Sequence, residues 1–287
     1  MSQTAHKIPF TKMSGSGNDF IVIDNRDRKI GEDYGPKLAR LACRRKLSAG
    51  ADGLILIEND PEADFSWRFF NADGSEAEMC GNGARCAARF ALLNGIADKE
   101  RFSFRTLAGI VEAQVSGQTA RVAMPGPHGF ESDIVIGLDG QRISLDFINT
   151  GVPHAVNFTD SCKELATMDV DGLGRAVRRH ERFQPAGTNA DFAFVSGPHN
   201  MQIRTFERGV EGETLACGTG CIAAALVAAA RGYTESPVDV LTRSGETLTI
   251  HFEKISQGSE LIFSAVYLEG DARVVYEAEL WDETLRA

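Results

Sequence analysis

Short apolar runs with period-two alternation fill the first half of the chain and predict β-strands, and two stretches of helical spacing interrupt them. Residues 8–13 and 19–24 predict a hairpin with the glycine-rich tip SGSGN. Apolar residues on one face of 37–47 predict a short helix that ends before Gly50. The other strands predicted in this half are 54–58, 65–70, 102–106, 110–115 and 120–124.

The second half repeats this order of elements after the segment Pro-Gly-Pro at 125–127. Two prolines around a glycine continue neither a helix nor a strand, so we predict a domain boundary there. The predicted domains are 1–125 and 126–271, with a last strand at about 272–287 packing on the first domain. Predicted elements of the second half are strands 142–148, 155–159, 193–195 and 201–206, a helix over 173–183, and four or five strands towards the end.

One phrase occurs in both halves, as MCGNGARCAA at 79–88 and as ACGTGCIAA at 216–224. Each copy has a cysteine before a Gly-x-Gly turn and then an alanine-rich apolar stretch, which predicts a helix start; the first helix is predicted over 82–93. Cys80 and Cys217 are 137 positions apart, as are Asn71 and Arg208. Ala51-Asp52 and Ala190-Asp191 are 139 positions apart, and this near-constant offset indicates a duplication. We therefore predict an α+β fold of two similar, pseudo-twofold related domains, each a mostly antiparallel sheet or barrel around a central helix, with the active site in the interdomain cleft.

The position of the two cysteines indicates chemistry, because N–H groups and the helix dipole stabilise a thiolate at a helix start. Glycines beside them let the backbone approach an anion such as a carboxylate. A racemase or epimerase must remove a proton from one face of Cα and return one to the other face. A thiolate and a thiol on opposite sides of that carbon can do this, since a helix start can lower a thiol pKa from its reference of about 8.5.

Composition narrows the class of protein. The net charge of −10 and the pI of about 5.2 disfavour a protein that binds nucleic acid or an anionic membrane. No signal-peptide core occurs in residues 1–10 and no long apolar run follows, so the cytoplasm is the expected compartment. Six scattered cysteines, without a C-x-x-C, predict thiols rather than a disulfide framework. The histidines are dispersed and have no metal-ligand spacing.

Several blocks together resemble the diaminopimelate epimerase family. They are GNDF at 17–20, FNADGS at 70–75, CGNGARC at 80–86, TNA at 188–190, ERG at 207–209, ET at 213–214 and ACGTG at 216–220. The resemblance implies a pyridoxal-independent and metal-independent epimerase that interconverts LL- and meso-diaminopimelate, on the way to lysine and peptidoglycan. It also implies a homodimer.

The same resemblance implies roles for individual residues. Cys80 and Cys217 correspond to the acid-base pair. The reacting α-carboxylate would be bound by Gly81, Asn82, Gly218 and Thr219. The distal amino-carboxylate end would be held by Asn18, Asn71, Asn189, Glu207 and Arg208, with Arg208 suited to a bidentate contact. His154 is an auxiliary candidate that could cap or orient a neighbour.

One position departs from the family pattern, because Val152 stands where some members have a substrate-binding asparagine. Asn149 or water could replace that contact, or selectivity for the distal group could differ. Proline-racemase-like or histidine-racemase-like enzymes are the alternative, although the small substrate of a proline racemase gives Arg208 no carboxylate to bind. A thiol-disulfide redox protein or a non-catalytic amino-acid binding protein is a further alternative. Cys86 and Cys221, inside the helices, are expected to be plain core.

Overall fold

The computed structural model describes residues 7–138, 140–257 and 260–286, and over these residues the chain forms an α+β fold dominated by strands, as predicted. The expectation that residues 1–10 hold no signal peptide falls mostly outside the described residues. The helices are α1 (Gly35–Ala42), α2 (Gly81–Leu93), α3 (Cys162–Thr167), α4 (Val170–Arg179) and α5 (Gly218–Ala230). None of these described helices is long and apolar enough to cross a membrane.

The strands divide between two compact units of the chain. Unit 1 consists of Met1–Val122 and Gly270–Ala287, and unit 2 consists of Ala123–Glu269. The first segment of unit 1 contains β1 (Lys7–Gly15), β2 (Asn18–Asp24), β3 (Gly53–Glu58), β4 (Phe65–Asn71), β5 (Arg101–Thr106), β6 (Gly109–Ser116) and β7 (Thr119–Ala123), and the last strand of the chain, β17 (Arg273–Trp281), lies in its second segment. Between these segments the chain forms β8 (His128–Leu138), β9 (Gln141–Asn149), β10 (Pro153–Phe158), β11 (Asn189–Gly197), β12 (Asn200–Glu207), β13 (Gly212–Thr214), β14 (Val238–Leu241), β15 (Thr247–Gln257) and β16 (Glu260–Asp271).

Unit 1 winds its strands around helix α2. Strand β1 pairs antiparallel with β2, β2 parallel with β3, β3 antiparallel with β4, and β4 parallel with β5. Strands β5, β6 and β7 continue as antiparallel neighbours, and β17 returns to pair with β1. Ala84, Cys86, Ala87 and Ala88 of α2 have no exposed surface, and α2 contacts β1, β2, β3 and β6. Small side chains therefore let the sheet close tightly on this helix.

Unit 2 repeats the pairing scheme of unit 1. Strands β9 and β10 are antiparallel, β10 and β11 parallel, β11 and β12 antiparallel, β12 and β14 parallel, and β14 and β15 antiparallel. Helix α5 is buried from Gly220 to Ala229 and has no polar face, which is typical of a helix surrounded by protein. Its contacts are with β9, β10, β11, β12, β14 and β15. Equal topology in the two units agrees with the duplication that the sequence predicts.

Two predicted helices have different bounds in the structure. The helix expected over 37–47 is α1, which ends at Ala42, because the Ala42 carbonyl accepts from Gly50 N–H at 2.9 Å instead of continuing the helix. The helix expected over 173–183 is α4, which begins earlier because the Asp169 carboxylate caps it by accepting from Gly172 N–H at 3.0 Å.

The sequence pattern missed three elements altogether, the strand β8, the three-residue strand β13 and the short helix α3. Most side chains of β8 are exposed or half-buried, and its ladder partner is β9. Such a strand lacks the apolar alternation on which strand prediction depends. Helix α3 has only Leu165 buried and is too short to show a helical period.

Candidate active site

Cys80 caps the first turn of α2 in unit 1. Its backbone is extended, and its sulfur accepts from Gly83 N–H at 3.4 Å, as an N-cap oxygen would. Cys80 is half-buried at this helix start. Gly15, at the hairpin tip, allows the close approach, since a Cβ there would lie 3.0 Å from Asn82 O and 3.3 Å from Cys86 Sγ. The glycine-rich tip and the cysteine phrase are thus packed against each other.

Two predicted substrate-binding asparagines of unit 1 are joined by a directed chain of hydrogen bonds. The Arg85 guanidinium donates to Asn82 Oδ1 at 2.6 Å, Asn82 Nδ2 donates to Asn18 Oδ1 at 2.6 Å, and Asn18 Nδ2 donates to Asp52 Oδ2 at 3.1 Å. The cation at one end and the carboxylate at the other orient both amides. Both amide oxygens already accept from the protein, so these side chains offer N–H donors to a ligand. Such a site favours an anion.

Asp52, at the end of this chain of amides, is held by reciprocal hydrogen bonds with Asp19. Asp19 N–H donates to Asp52 Oδ2 at 3.1 Å, and Asp52 N–H donates to Asp19 Oδ1 at 3.0 Å. Asn71, which is exposed, faces Gly53 in the ladder between β3 and β4. Its Nδ2 donates to Ser75 Oγ at 3.0 Å, so the side chain also braces its own turn. The predicted residues Asn18, Asn71, Asn82 and Cys80 therefore belong to one edge of unit 1.

Cys217 caps α5 in unit 2 and is buried, with 7% of its surface exposed. Its sulfur lies 3.4 Å from Thr219 Oγ1 in the first turn of the helix. The N–H groups of a first helical turn have no partner within the helix, and Gly218 and Thr219 supply two of them. Gly220 is required here, because a Cβ would lie 2.5 Å from Asp191 Oδ1.

His154 lies directly behind this helix start and has no exposed surface. Its Nδ1 is 2.7 Å from Asp191 Oδ2, and its Nε2 is 3.0 Å from Thr219 Oγ1. Thr205 faces Asp191 in the ladder between β11 and β12 and donates its hydroxyl to Asp191 Oδ1 at 2.7 Å. A continuous line of polar contacts therefore runs from Asp191 through His154 and Thr219 to Cys217.

Asn189, Glu207 and Arg208 complete the predicted residues of unit 2. Asn189 Oδ1 accepts from Arg208 N–H at 2.7 Å, and Asn189 Nδ2 is 3.3 Å from His154 Nε2. The half-buried Arg208 also donates through Nη1 to Ala186 O at 2.9 Å. The Thr214 hydroxyl donates to the Glu207 carboxylate. These residues share one edge of unit 2 with Cys217.

The protonation of Cys217 differs from the expectation for a helix start. Burial raises the pKa of the Cys217 thiol well above its ordinary value, and the Glu207 and Asp191 carboxylates raise it further. Hydrogen bonds from Thr219 and from Gly220 N–H lower this pKa, but by less. Burial likewise raises the pKa of the Glu207 carboxyl, and the bond from Thr214 opposes the shift. In unit 2 burial and the two carboxylates therefore outweigh the hydrogen bonds that favour the thiolate.

Several residues of these two sites were missed by the sequence analysis. They are Arg85 and Asp52 in unit 1, and Asp191 and Thr205 in unit 2. A signal existed for Asp191, because it is two residues beyond Asn189 on the same face of a strand. In the turn before β10, Asn149 Oδ1 accepts from Gly151 N–H at 3.0 Å, so its side chain braces the turn. The effect of Val152 on selectivity stays a prediction.

The described residues contain no group of three or more histidine, cysteine or carboxylate side chains arranged to hold a metal ion. The other thiols also differ from the two at the helix starts. Cys86 and Cys221 are fully buried within α2 and α5, as expected of core residues. Burial raises the pKa of Cys43 to about 12. Cys162 is exposed and donates to Gln202 Oε1 at 3.2 Å.

Comparison with solved structures supports the fold. The chain superposes on a phenazine biosynthesis protein of the PhzF family from Bacillus anthracis with a TM-score of 0.75 and 16% identity, covering 96% of this chain and 99% of the other. It superposes on a probable proline racemase from Agrobacterium radiobacter K84 with a TM-score of 0.68 and 16% identity, covering 94% of this chain and 92% of the other. These identities show a shared fold only.

Comparison of sequences identifies the family. A family profile described as diaminopimelate epimerase matches residues 10–129 and 147–274. The diaminopimelate epimerase of Aquifex aeolicus is 45% identical over 96% of this chain and 99% of its own length. The diaminopimelate epimerase of Archaeoglobus fulgidus is 41% identical over 98% of this chain and 99% of its own length. The cysteine-capped helices, the oriented asparagines and these full-length matches agree, and the chain belongs to the diaminopimelate epimerase family of isomerases.

Proposed function

We propose that this protein interconverts LL-2,6-diaminopimelate and meso-diaminopimelate without a cofactor, as a step towards lysine and peptidoglycan precursors. Cys80 and Cys217 act as the acid-base pair on opposite faces of Cα. The thiolate of one removes the α-proton, and the thiol of the other delivers a proton to the opposite face. The observation that carries the proposal is the pair of equivalent helices, each beginning at a cysteine, in two units of equal topology.

The reacting α-carboxylate is held by N–H donors at the two helix starts. Gly81 and Asn82 supply them in α2, and Gly218 and Thr219 supply them in α5. This assignment is supported by the oriented Asn82 amide, which has only N–H groups left to offer. Donors aimed at this carboxylate stabilise the negative charge that develops on it when the α-proton leaves.

The distal amino-carboxylate group is held by polar residues next to the helix starts. Arg208 provides a guanidinium for the distal carboxylate, and the Glu207 carboxylate provides an acceptor for the ammonium. Asn18, Asn71 and Asn189 add amide contacts. This assignment is supported by the bond from Arg208 N–H to Asn189 and by the half-buried position of Arg208. A substrate as small as proline would leave this guanidinium without a carboxylate, so the proline-racemase-like and histidine-racemase-like alternatives are second.

The proposed reaction has a direct test. Incubated in deuterated water with reduced, pyridoxal-free protein, LL-diaminopimelate should lose its α-proton signal while the meso isomer appears in the proton NMR spectrum. Proline and histidine, tested in the same way, should keep their α-protons. Unchanged diaminopimelate, or faster exchange of proline or histidine, would contradict the proposed substrate.

We also propose a cytoplasmic homodimer. The dimer is supported by β17, where Val274, Val275 and Tyr276 expose 38%, 56% and 43% of their surface beside one another. An apolar strand surface of this kind is typical of a contact between copies. The cytoplasmic assignment is supported by the thiols that the mechanism requires, because a reducing compartment preserves them.

The dimer can be tested by changing one residue of β17. Tyr276→Asp should convert the protein from dimer to monomer in sedimentation equilibrium, because a carboxylate would be buried in the contact. Tyr233→Asp is the matched control, since Tyr233 is a similarly exposed tyrosine of unit 2 at 49%. A wild-type protein that sediments as a monomer at micromolar concentration would contradict the proposal.

A further inference from the structure

The four predicted asparagines differ in which half of the side-chain amide is left for a ligand. The Arg85 guanidinium donates to Asn82 Oδ1 at 2.6 Å, and Asn82 Nδ2 donates to Asn18 Oδ1 at 2.6 Å. Arg208 N–H donates to Asn189 Oδ1 at 2.7 Å. The oxygens of these three amides therefore already accept from the protein, and what each amide retains is an N–H group, which suits a carboxylate.

Asn71 has the opposite polarity. The Ser75 hydroxyl and Ser75 N–H donate to Asp73 Oδ1 at 2.6 and 2.8 Å, and these bonds hold the pKa of the Asp73 carboxyl below its usual value of 3.8. A hydroxyl has one hydrogen, so Ser75 Oγ has only lone pairs left for Asn71. Asn71 must present Nδ2 to Ser75, at 3.0 Å, and its Oδ1 is turned away. None of the described residues donates to this oxygen. Asn71 therefore offers an acceptor, which suits an ammonium group.

The turn that carries these residues is fixed by its backbone. Asn71 N–H donates to Ser75 O at 2.9 Å, and Gly74 N–H donates to Asn71 O at 2.9 Å. Gly74 has a φ of +83° and packs so closely on α1 that a Cβ would lie 2.5 Å from Pro36 O. The side chains of Asn71, Asp73 and Ser75 are exposed. Substitution of these side chains should therefore leave the turn and the fold in place.

We propose that Asp73 and Ser75 are positioning residues that make Asn71 an acceptor for the distal ammonium group of the substrate. The Asp73 carboxylate accepts the Ser75 hydrogen, Ser75 Oγ accepts an N–H of Asn71, and Asn71 Oδ1 binds the ammonium. Asn18 offers N–H groups, so in unit 1 the distal carboxylate and the distal ammonium are recognised by different amides. The inference rests on the proposed function, because it assumes that Asn71 contacts the distal end of diaminopimelate.

Steady-state kinetics of Ser75→Ala and Ser75→Thr test this role. Without the hydroxyl, the Asn71 amide can rotate, and its oxygen is no longer directed at the ammonium. We expect KM for LL-diaminopimelate to rise about tenfold in Ser75→Ala, as for the loss of one hydrogen bond to a charged group. The value of kcat should stay within about threefold, because the distal group is bound equally before and during the reaction. Ser75→Thr retains the hydroxyl and should have the wild-type KM.

An analogue without the distal ammonium separates this role from a general disturbance of the site. In 2-aminopimelate a hydrogen replaces that ammonium, so Asn71 Oδ1 has no group to bind. Its inhibition constant against diaminopimelate should therefore differ by no more than about twofold between Ser75→Ala and the wild type. Asp73→Ala frees the Ser75 hydroxyl to donate to Asn71 Oδ1 and should raise KM for diaminopimelate, whereas Asp73→Asn retains an acceptor for Ser75 and should not.

Ser66→Ala is the matched control, because Ser66 is a serine of β4 whose hydroxyl donates to Asn59 O at 3.3 Å. It should leave KM and kcat unchanged. An unchanged KM in Ser75→Ala would overturn the inference, as would an equal rise in KM and in the inhibition constant of 2-aminopimelate. Either result leaves the proposed function standing if the wild-type protein epimerises diaminopimelate. A wild-type protein that does not would contradict the proposed function, and the inference with it.

Discussion

Replacing either Cys80 or Cys217 with alanine is expected to lower the rate of epimerisation by about 10⁴-fold, the upper end of the range for acid-base catalysis, and so below detection in an NMR assay. A two-base reaction needs a proton acceptor on one face of Cα and a donor on the other, and each variant removes one of them. The fold should persist, because each substitution removes a single sulfur atom at a helix N-cap and leaves the apolar residues of the helix unchanged. Circular dichroism should therefore match the wild type.

Cys162→Ala is the control for the cysteine variants, because Cys162 is exposed at the start of α3. It should retain full activity. Substantial turnover by Cys80→Ala or by Cys217→Ala, in protein shown to be folded, would contradict the two-base mechanism. Loss of activity in Cys162→Ala as well would point to a general effect of removing thiols and would remove the support for assigning this role to Cys80 and Cys217.

Asp19→Asn is expected to lower the free energy of unfolding by about 3 kcal/mol at pH 7, the lower end of the range for breaking a buried ion pair. Lys12 is 5% exposed, and its Nζ lies 2.8 Å from the Asp19 carboxylate. The Lys12 ammonium also donates to Gly50 O. In the variant this neutral carbonyl would compensate poorly for the lost negative charge of Asp19. The lower end applies because the Asp19 side chain is itself 21% exposed. Urea unfolding gives the measurement.

The loss of stability caused by Asp19→Asn should depend on pH. Burial raises the pKa of the Asp19 carboxyl, but Arg45 and Lys12 outweigh burial and hold it below its usual value of 3.8. A carboxyl whose pKa is lower in the folded state stabilises the fold above its unfolded pKa, and this stabilisation is lost as the pH falls through the folded pKa. The difference between wild type and Asp19→Asn should therefore shrink below about pH 4.

The control for Asp19 is Asp27→Asn, which breaks an exposed pair with Lys29 at 2.6 Å. Exposed ion pairs are screened by water, so this variant should unfold at nearly the wild-type urea concentration. Equal stability of Asp19→Asn and Asp27→Asn would show that the ion pair of Lys12 and Asp19 contributes no more than a surface pair.

Local patterns were sufficient for the elements that organise the site. The hairpin of β1 and β2 followed from alternation around a glycine-rich turn. The starts of α2 and α5 followed from a cysteine, a Gly-x-Gly turn and an alanine-rich run. These signals are confined to about a dozen neighbouring residues, which is the range over which turn chemistry and periodicity act. Strand β8 has no such signal, since its side chains face mostly outward.

The sequence by itself determined the duplicated order of elements, the two cysteine-capped helices and, through the family resemblance, the predicted site residues. Only the tertiary structure decided which polar groups meet. Thr205 reaches Asp191 through the antiparallel register of β11 and β12, and His154 lies beside Asn189 through the parallel register of β10 and β11. Register depends on contacts between residues distant in the chain, as does the burial that raises the pKa of Cys217. Neither can be calculated from the neighbours of a residue in sequence.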